Sequence, residues 1–147
     1  EDAIREETLT EPKGCLVIIN CVDNDATRLA SLKALMARTG DWLWVSPGNS
    51  DGTERITGQV IWHGRINGTT YGVDPRELYD NIRTPGDGIP RQGGCMEHQA
   101  SRPQLISANA LAAAWTLAII QNLLDGKLSS DSNTLAFDGR SGAARCF

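Results

Sequence analysis

Asp23 and Asn24, and much further along Cys95 with His98, are the residues of this chain whose types and settings could do chemistry. Asp23 and Asn24 fall in a polar break, Asn20 to Asp25, directly after the apolar run Cys15 to Ile19. Such an unbroken run reads as a strand buried on both faces. In open α/β sheets, ligands sit outside the carboxyl end of such a strand, which puts Asp23 and Asn24 at a functional edge. The same residues also read as a turn and a helix cap, with Asn24 or Asp25 as N-cap. Cys95 closes a Gly-rich stretch. Its thiol could act as a nucleophile if exposed and acidified by the adjacent helix end or by His98. It reads equally as a structural cysteine packed under the loop. Cys95-x-x-His98 is also half of a zinc pattern, but no second close pair of Cys or His exists, so no zinc site is expected.

The string V-I-I-N-C-V-D-N-D-A-T-R, ending at Arg28, resembles the D-C-x-D-N-x-x-x-R segment of the ThiF/MoeB family. These are the ubiquitin-activating-type enzymes that adenylate the C-terminal glycine of a ubiquitin-like or sulfur-carrier protein. The resemblance implies that Asp23 coordinates Mg-ATP, with Asn24 beside it and Arg28 on the following helix at the nucleotide. Asn20 stands where the family often has Asp. The family's order of elements also fits: a strand after that helix, then a strand introduced by G-x-V, here Gly58-Gln59-Val60, with Asn49 where plasmid-associated chains often read G-N. In several members a Cys follows a loop before the last long helix, as Cys95 does, and in some it receives the activated protein as a thioester. The two C-x-x-C zinc pairs of many ThiF and MoeB proteins are absent. The likeness runs from about Gly14 to Leu124.

The elements that must position these residues can be read in order. Residues 1–13 form a short helix or loop stopped by Pro12. After the first strand, apolar residues at helical spacing (Leu29, Leu32, Ala34, Leu35, Met36) predict a helix ending near Arg38-Thr39-Gly40, with Gly40 as its C′ residue. Trp42 to Val45 is a strand stopped by Ser46-Pro47-Gly48-Asn49. Arg55 to Gly64 alternates as an antiparallel strand with one wetter face. Asn67-Gly68 turns it into a short strand, Thr69 to Val73. Asp74 caps a short helix that has Pro75 at its first position. Residues 83–94 hold four Gly and two Pro and read as a mobile crossover-type loop. Pro103 to Leu124 is a long helix with Ser101 as N-cap, its stripe serving core or homodimer packing. Leu135 to Asp138 and Ala143 to Phe147 close the chain as a hairpin.

The expectation is one α/β domain over residues 1–147, a Rossmann-like mixed sheet of ThiF type with helices packed on it. It corresponds to the C-terminal half of that fold. The Gly-rich phosphate loop is nowhere in the sequence, which favours a truncated chain. ATP and Mg2+ are then expected only together with an upstream half, and the chain alone is expected to be inactive. At 147 residues and 40% apolar, one core is feasible. A net charge of −4 with scattered Lys and Arg argues against nucleic acid. The longest apolar candidate, Leu105 to Leu124, is broken by polar residues, so no membrane contact is expected. Four dispersed cysteines suit a reducing cytoplasm. The alternative function is a non-catalytic ThiF-fold module for binding or dimerisation.

Overall fold

The computed structural model describes residues 14–22, 24–49, 56–86 and 106–147. They form an α/β fold around a mixed sheet. In chain order the elements are β1 (Leu16–Ile19), α1 (Asp25–Met36), β2 (Trp42–Asn49), β3 (Thr57–Ile66), β4 (Thr69–Tyr71), α2 (Pro75–Leu78), α3 (Asp80–Arg83), α4 (Ile106–Leu124), β5 (Thr134–Asp138) and β6 (Ala143–Cys146). The sheet order is β1-β2-β3-β5-β6, and β4 shares the second edge of β3 with β5. Among the described strands only the β1–β2 pair is parallel. That geometry follows from the connection: α1 carries the chain back along one face, so β2 starts where β1 started.

Side-chain alternation divides the core in two. Trp42, Trp44 and Ile61 face α1 and α3, where they meet Leu32, Leu35 and Ile82. Leu43, Val45, Val60 and Trp62 face the other way, onto Ala112 and Ile119 of α4 and onto Leu135 and Phe137. Helices therefore cover both faces of the sheet. Small residues at Ala108 and Ala112 bring α4 close to it. By length and composition alone α4 is long and apolar enough to cross a bilayer, yet one side of it is buried on the sheet.

Several sequence expectations change. β2 does not stop at Val45 but runs to Asn49, with Pro47 inside it. β1 ends opposite Val45, and the amide of Asn20 takes the last carbonyl there, that of Val45, at 2.7 Å. Pro47 has its nitrogen on that same side, beyond the end of β1, so no ladder bond is lost. β3 is not wet on one face: Ile61 and His63 are as buried as Val60 and Trp62. Its glycine at position 58 is forced, because a Cβ there would lie 2.5 Å from both the Gly48 carbonyl and the Phe137 ring. β1, read as buried on both faces, is half-buried. Among the described residues it pairs only with β2, and Ile19 is 44% exposed. α1 ends at Met36, and Ala37 in right-handed conformation caps it, so Gly40 is not its C′ residue. Arg83 belongs to α3, which shortens the expected loop at its start. Residues 87–94 of that loop, the segment 1–13 and the Ser101 cap lie outside the described residues.

Other expectations hold. Asn67 and Gly68 both have positive φ (50° and 76°), the requirement of a tight two-residue hairpin turn. Asp74 caps α2: its Oδ1 accepts the Arg76 amide at 2.9 Å, and the Arg76 Nε–H reaches both carboxylate oxygens at 3.0 Å. The Arg76 side chain, first, and its amide hold the Asp74 carboxyl below the usual range, against the opposing effect of partial burial. A depressed native pKa adds stability that is complete above the unfolded value of about 3.9 and is lost as pH falls through the native value. Asp74→Asn is therefore expected to flatten the acid limb of a stability profile below about pH 4. Urea midpoints measured from pH 5 down to pH 2.5 check this; identical limbs for the two proteins would refute it.

Candidate functional site

The carboxyl end of β1 is tied down before the chain turns. Asn20 is 5% exposed, and its side-chain amide donates to Ser31 Oγ at 2.6 Å. The Trp44 indole N–H donates to the same oxygen at 3.0 Å, and the Ser31 hydroxyl donates to the Arg28 carbonyl at 2.9 Å. One hydroxyl thus joins β1, α1 and β2. This also explains why an amide can stand at position 20: it is used as a donor, which an ionised carboxylate cannot be.

Asn24 is in extended conformation and caps α1. Its Oδ1 accepts from the Thr27 amide at 2.8 Å and from the Thr27 hydroxyl at 2.9 Å. The turn-and-cap reading is thus realised at Asn24. Asp23, the expected metal ligand, lies outside the described residues, between Val22 and Asn24. Cys95 and His98 also lie outside them.

Arg28 is one turn into α1. A cation there opposes the positive end of the helix dipole. Asp25 offsets it: its Oδ1 accepts from Arg28 Nη1 at 2.8 Å, with 18% and 22% of the two side chains exposed. The second oxygen of Asp25 accepts from the Asn81 side chain on α3 at 2.9 Å. The guanidinium is therefore held at one end by a carboxylate that α3 itself fixes. Its Nε–H is buried and has no hydrogen-bond partner. Nη2 points to the tail of β2, lying 3.7 Å from where a Cβ on Gly48 would be.

Two cavities open at this point. The smaller, about 480 Å³, lies between the end of β1 and α4 and is lined by Ile19, Cys21, Val22, Ala113 and Leu117 among others. The larger, about 530 Å³, lies on the α1 and α3 side, against Gln59, Ile61, Tyr79 and Asn81. Arg28, Pro47, Gly48 and Asn49 line both. Among the described lining residues Arg28 is the sole charged side chain of either cavity. Asn49 closes the smaller cavity by donating to Asn109 Oδ1 of α4 at 2.5 Å.

No family model matches this chain, and no curated protein or solved structure matches it either. The site has to be read from its own chemistry. Among the described residues no group of three or more His, Cys, Asp and Glu could hold a metal. Mg2+ does not require one. It commonly takes one or two carboxylates, with phosphate oxygens and water completing the shell. By residue type, a carboxylate such as Asp23 next to Asn24 in the sequence, with the Arg28 guanidinium on the following helix, is a donor set compatible with Mg2+ bound together with a polyphosphate. Of the residues that line these cavities, the sequence singled out Arg28 as a site residue but not Gln59 or Asn81. A four-residue helix has no periodicity to mark Asn81, and Gln59 reads as an ordinary strand residue.

Proposed function

We propose that this chain is the C-terminal half of a ThiF-type adenylating domain, of Rossmann-like build. It would activate the C-terminal carboxylate of a ubiquitin-like or sulfur-carrier protein with ATP. The observation that carries the reading is the β1–turn–α1 unit. The described members of its D-N-x-x-x-R sequence, Asn24 and Arg28, stand at the carboxyl end of a parallel strand pair, and Arg28 lines a cavity of ligand size there. The strand that follows α1 and the antiparallel strand opened by Gly58-Gln59-Val60 support it further.

In this reading Asp23 would hold Mg2+, which would neutralise phosphate charge. The substrate carboxylate attacks the α-phosphate of ATP, giving an acyl adenylate and releasing pyrophosphate. Arg28 holds phosphate oxygens, and its own position is fixed by Asp25 and Asn81. Cys95 then takes the acyl group as a thioester, releasing AMP. The phosphate cradle comes from residues outside this sequence, which has no G-x-G-x-x-G loop. A second reading, a non-catalytic module that pairs with an intact partner, is favoured by the edge of β1 that no strand among the described residues pairs with.

The test joins the chain to a phosphate-loop half and measures ATP–pyrophosphate exchange dependent on a ubiquitin-like protein. Exchange supports the enzyme; none in a folded, joined protein leaves the binding module. Cys95→Ser is expected to keep exchange and to lose the thiol-reducible conjugate. A Cys95→Ser protein that still forms that conjugate removes Cys95 as the nucleophile.

A further inference from the structure

The larger cavity has no part in the adenylation reading, which uses the end of β1. Its chemistry is nevertheless specific. Arg28 is the sole charge among its described lining residues, in a protein whose net charge is −4. The molecule's net charge repels free anions, and within this cavity the Arg28 guanidinium attracts them. The guanidinium is already turned and fixed: Asp25 holds Nη1, and Asn81, itself a lining residue, holds Asp25 from α3. One of its N–H groups lacks an acceptor. A buried donor left unmet costs free energy, so the network is short of an acceptor rather than of a donor. Around it the wall supplies a carboxamide, Gln59, and a half-buried aromatic ring, Tyr79, whose hydroxyl is paired with Thr134 Oγ1 at 3.0 Å. At about 530 Å³ the space suits a small organic molecule.

We propose that this cavity binds a small ligand carrying one oxyanion, carboxylate or phosphate, with Arg28 as its counter-charge. Gln59 contacts the polar part of the ligand next to that anion. Asn81 is a positioning residue that acts through Asp25. The site lies on the opposite side of the β2 tail from the smaller cavity at the end of β1, and both cavities share Arg28. Occupation of one therefore alters the guanidinium available to the other. The inference does not rest on adenylation and survives its failure.

The experiment is an NMR titration of the chain with sodium phosphate and, separately, sodium acetate at constant ionic strength. Millimolar binding is expected with at least one of them, with shifts at the amides of Gln59, Ile61 and Asn81 and at the Arg28 Nε–H. Response to phosphate alone identifies a phosphoryl ligand, and response to acetate alone a carboxylate. Arg28→Gln is expected to weaken binding about tenfold, the scale of a charge-assisted hydrogen bond. Asn81→Ala is expected to weaken it less while moving the Arg28 Nε–H resonance of the free protein, which a merely structural change elsewhere would not do. If Arg28→Gln fails to fold, Gln59→Leu, which leaves Arg28 and Asp25 in place, must weaken binding on its own. The proposal is overturned by the absence of shifts with both anions. Shifts confined to Ile19, Cys21 and Ala113 of the smaller cavity overturn it too. So does affinity unchanged in a folded Arg28→Gln, or in Gln59→Leu where Arg28→Gln does not fold.

Discussion

Trp44→Ala is expected to destabilise the fold by about 4 kcal/mol, the usual scale for removing a fully buried tryptophan. Trp44 has no exposed surface and sits in the middle of the α1-facing core, between Leu32, Leu35 and Ile82. Three elements meet on it, so no single one can move in to fill the space. The loss has a polar part as well, because the indole N–H is one of the two donors on Ser31 Oγ. A Ser31→Ala comparison separates the parts: it removes the hydrogen bonds and leaves the ring, and its expected cost is about 1 kcal/mol. Guanidinium denaturation measures both, as a shift in midpoint at unchanged slope. A Trp44→Ala cost under about 1 kcal/mol would show that α1 is not clamped to the sheet as described.

The same contacts explain what the amino-acid order made legible. The β1–turn–α1 unit was readable because its three signals are local: an apolar run, a polar break, then helical spacing. The β3–β4 hairpin was readable for the same reason, since Asn67-Gly68 by itself dictates a turn. The tail of β2 was not. Pro47 stops a strand only where both its edges are needed, and how far β1 extends is a property of two distant segments in register. The wet face assigned to β3 failed similarly. Period-two polarity places His63 opposite Val60 and Trp62 but does not say what covers it, and here the ring lies edge-on to Trp42, 5.4 Å between centroids. The larger cavity was the least legible feature. Arg28, Gly48, Gln59 and Asn81 are spread over four elements, and only the crossover through α1 and the return through α3 bring them together. Of those four, Arg28 alone was singled out by its residue type as part of a motif; Gln59 is only the variable position of Gly58-Gln59-Val60.

Asp23→Ala, in the chain joined to a phosphate-loop half, is expected to lower ATP–pyrophosphate exchange by about a thousandfold, the effect of losing roughly 4 kcal/mol of metal-borne charge stabilisation. The magnitude follows from the poverty of the site. None of the described residues that line the smaller cavity carries a carboxylate that could take over the metal. The nearby Asp25 is already shared between Arg28 and Asn81. Releasing Asp25 for metal binding would free the guanidinium it fixes, so a rescue through Asp25 would damage one function to restore the other. Arg28→Lys provides the contrasting result. It keeps the positive charge but loses the planar fork and the bond geometry to Asp25, so it should lower exchange by about tenfold and leave the metal dependence unchanged. Raising Mg2+ should therefore partly restore an Asp23→Asn protein and do nothing for Arg28→Lys. Full exchange in Asp23→Ala would refute the adenylation reading. A Mg2+ response in Arg28→Lys equal to that in Asp23→Asn would mean that the two side chains do not have the separate tasks assigned to them.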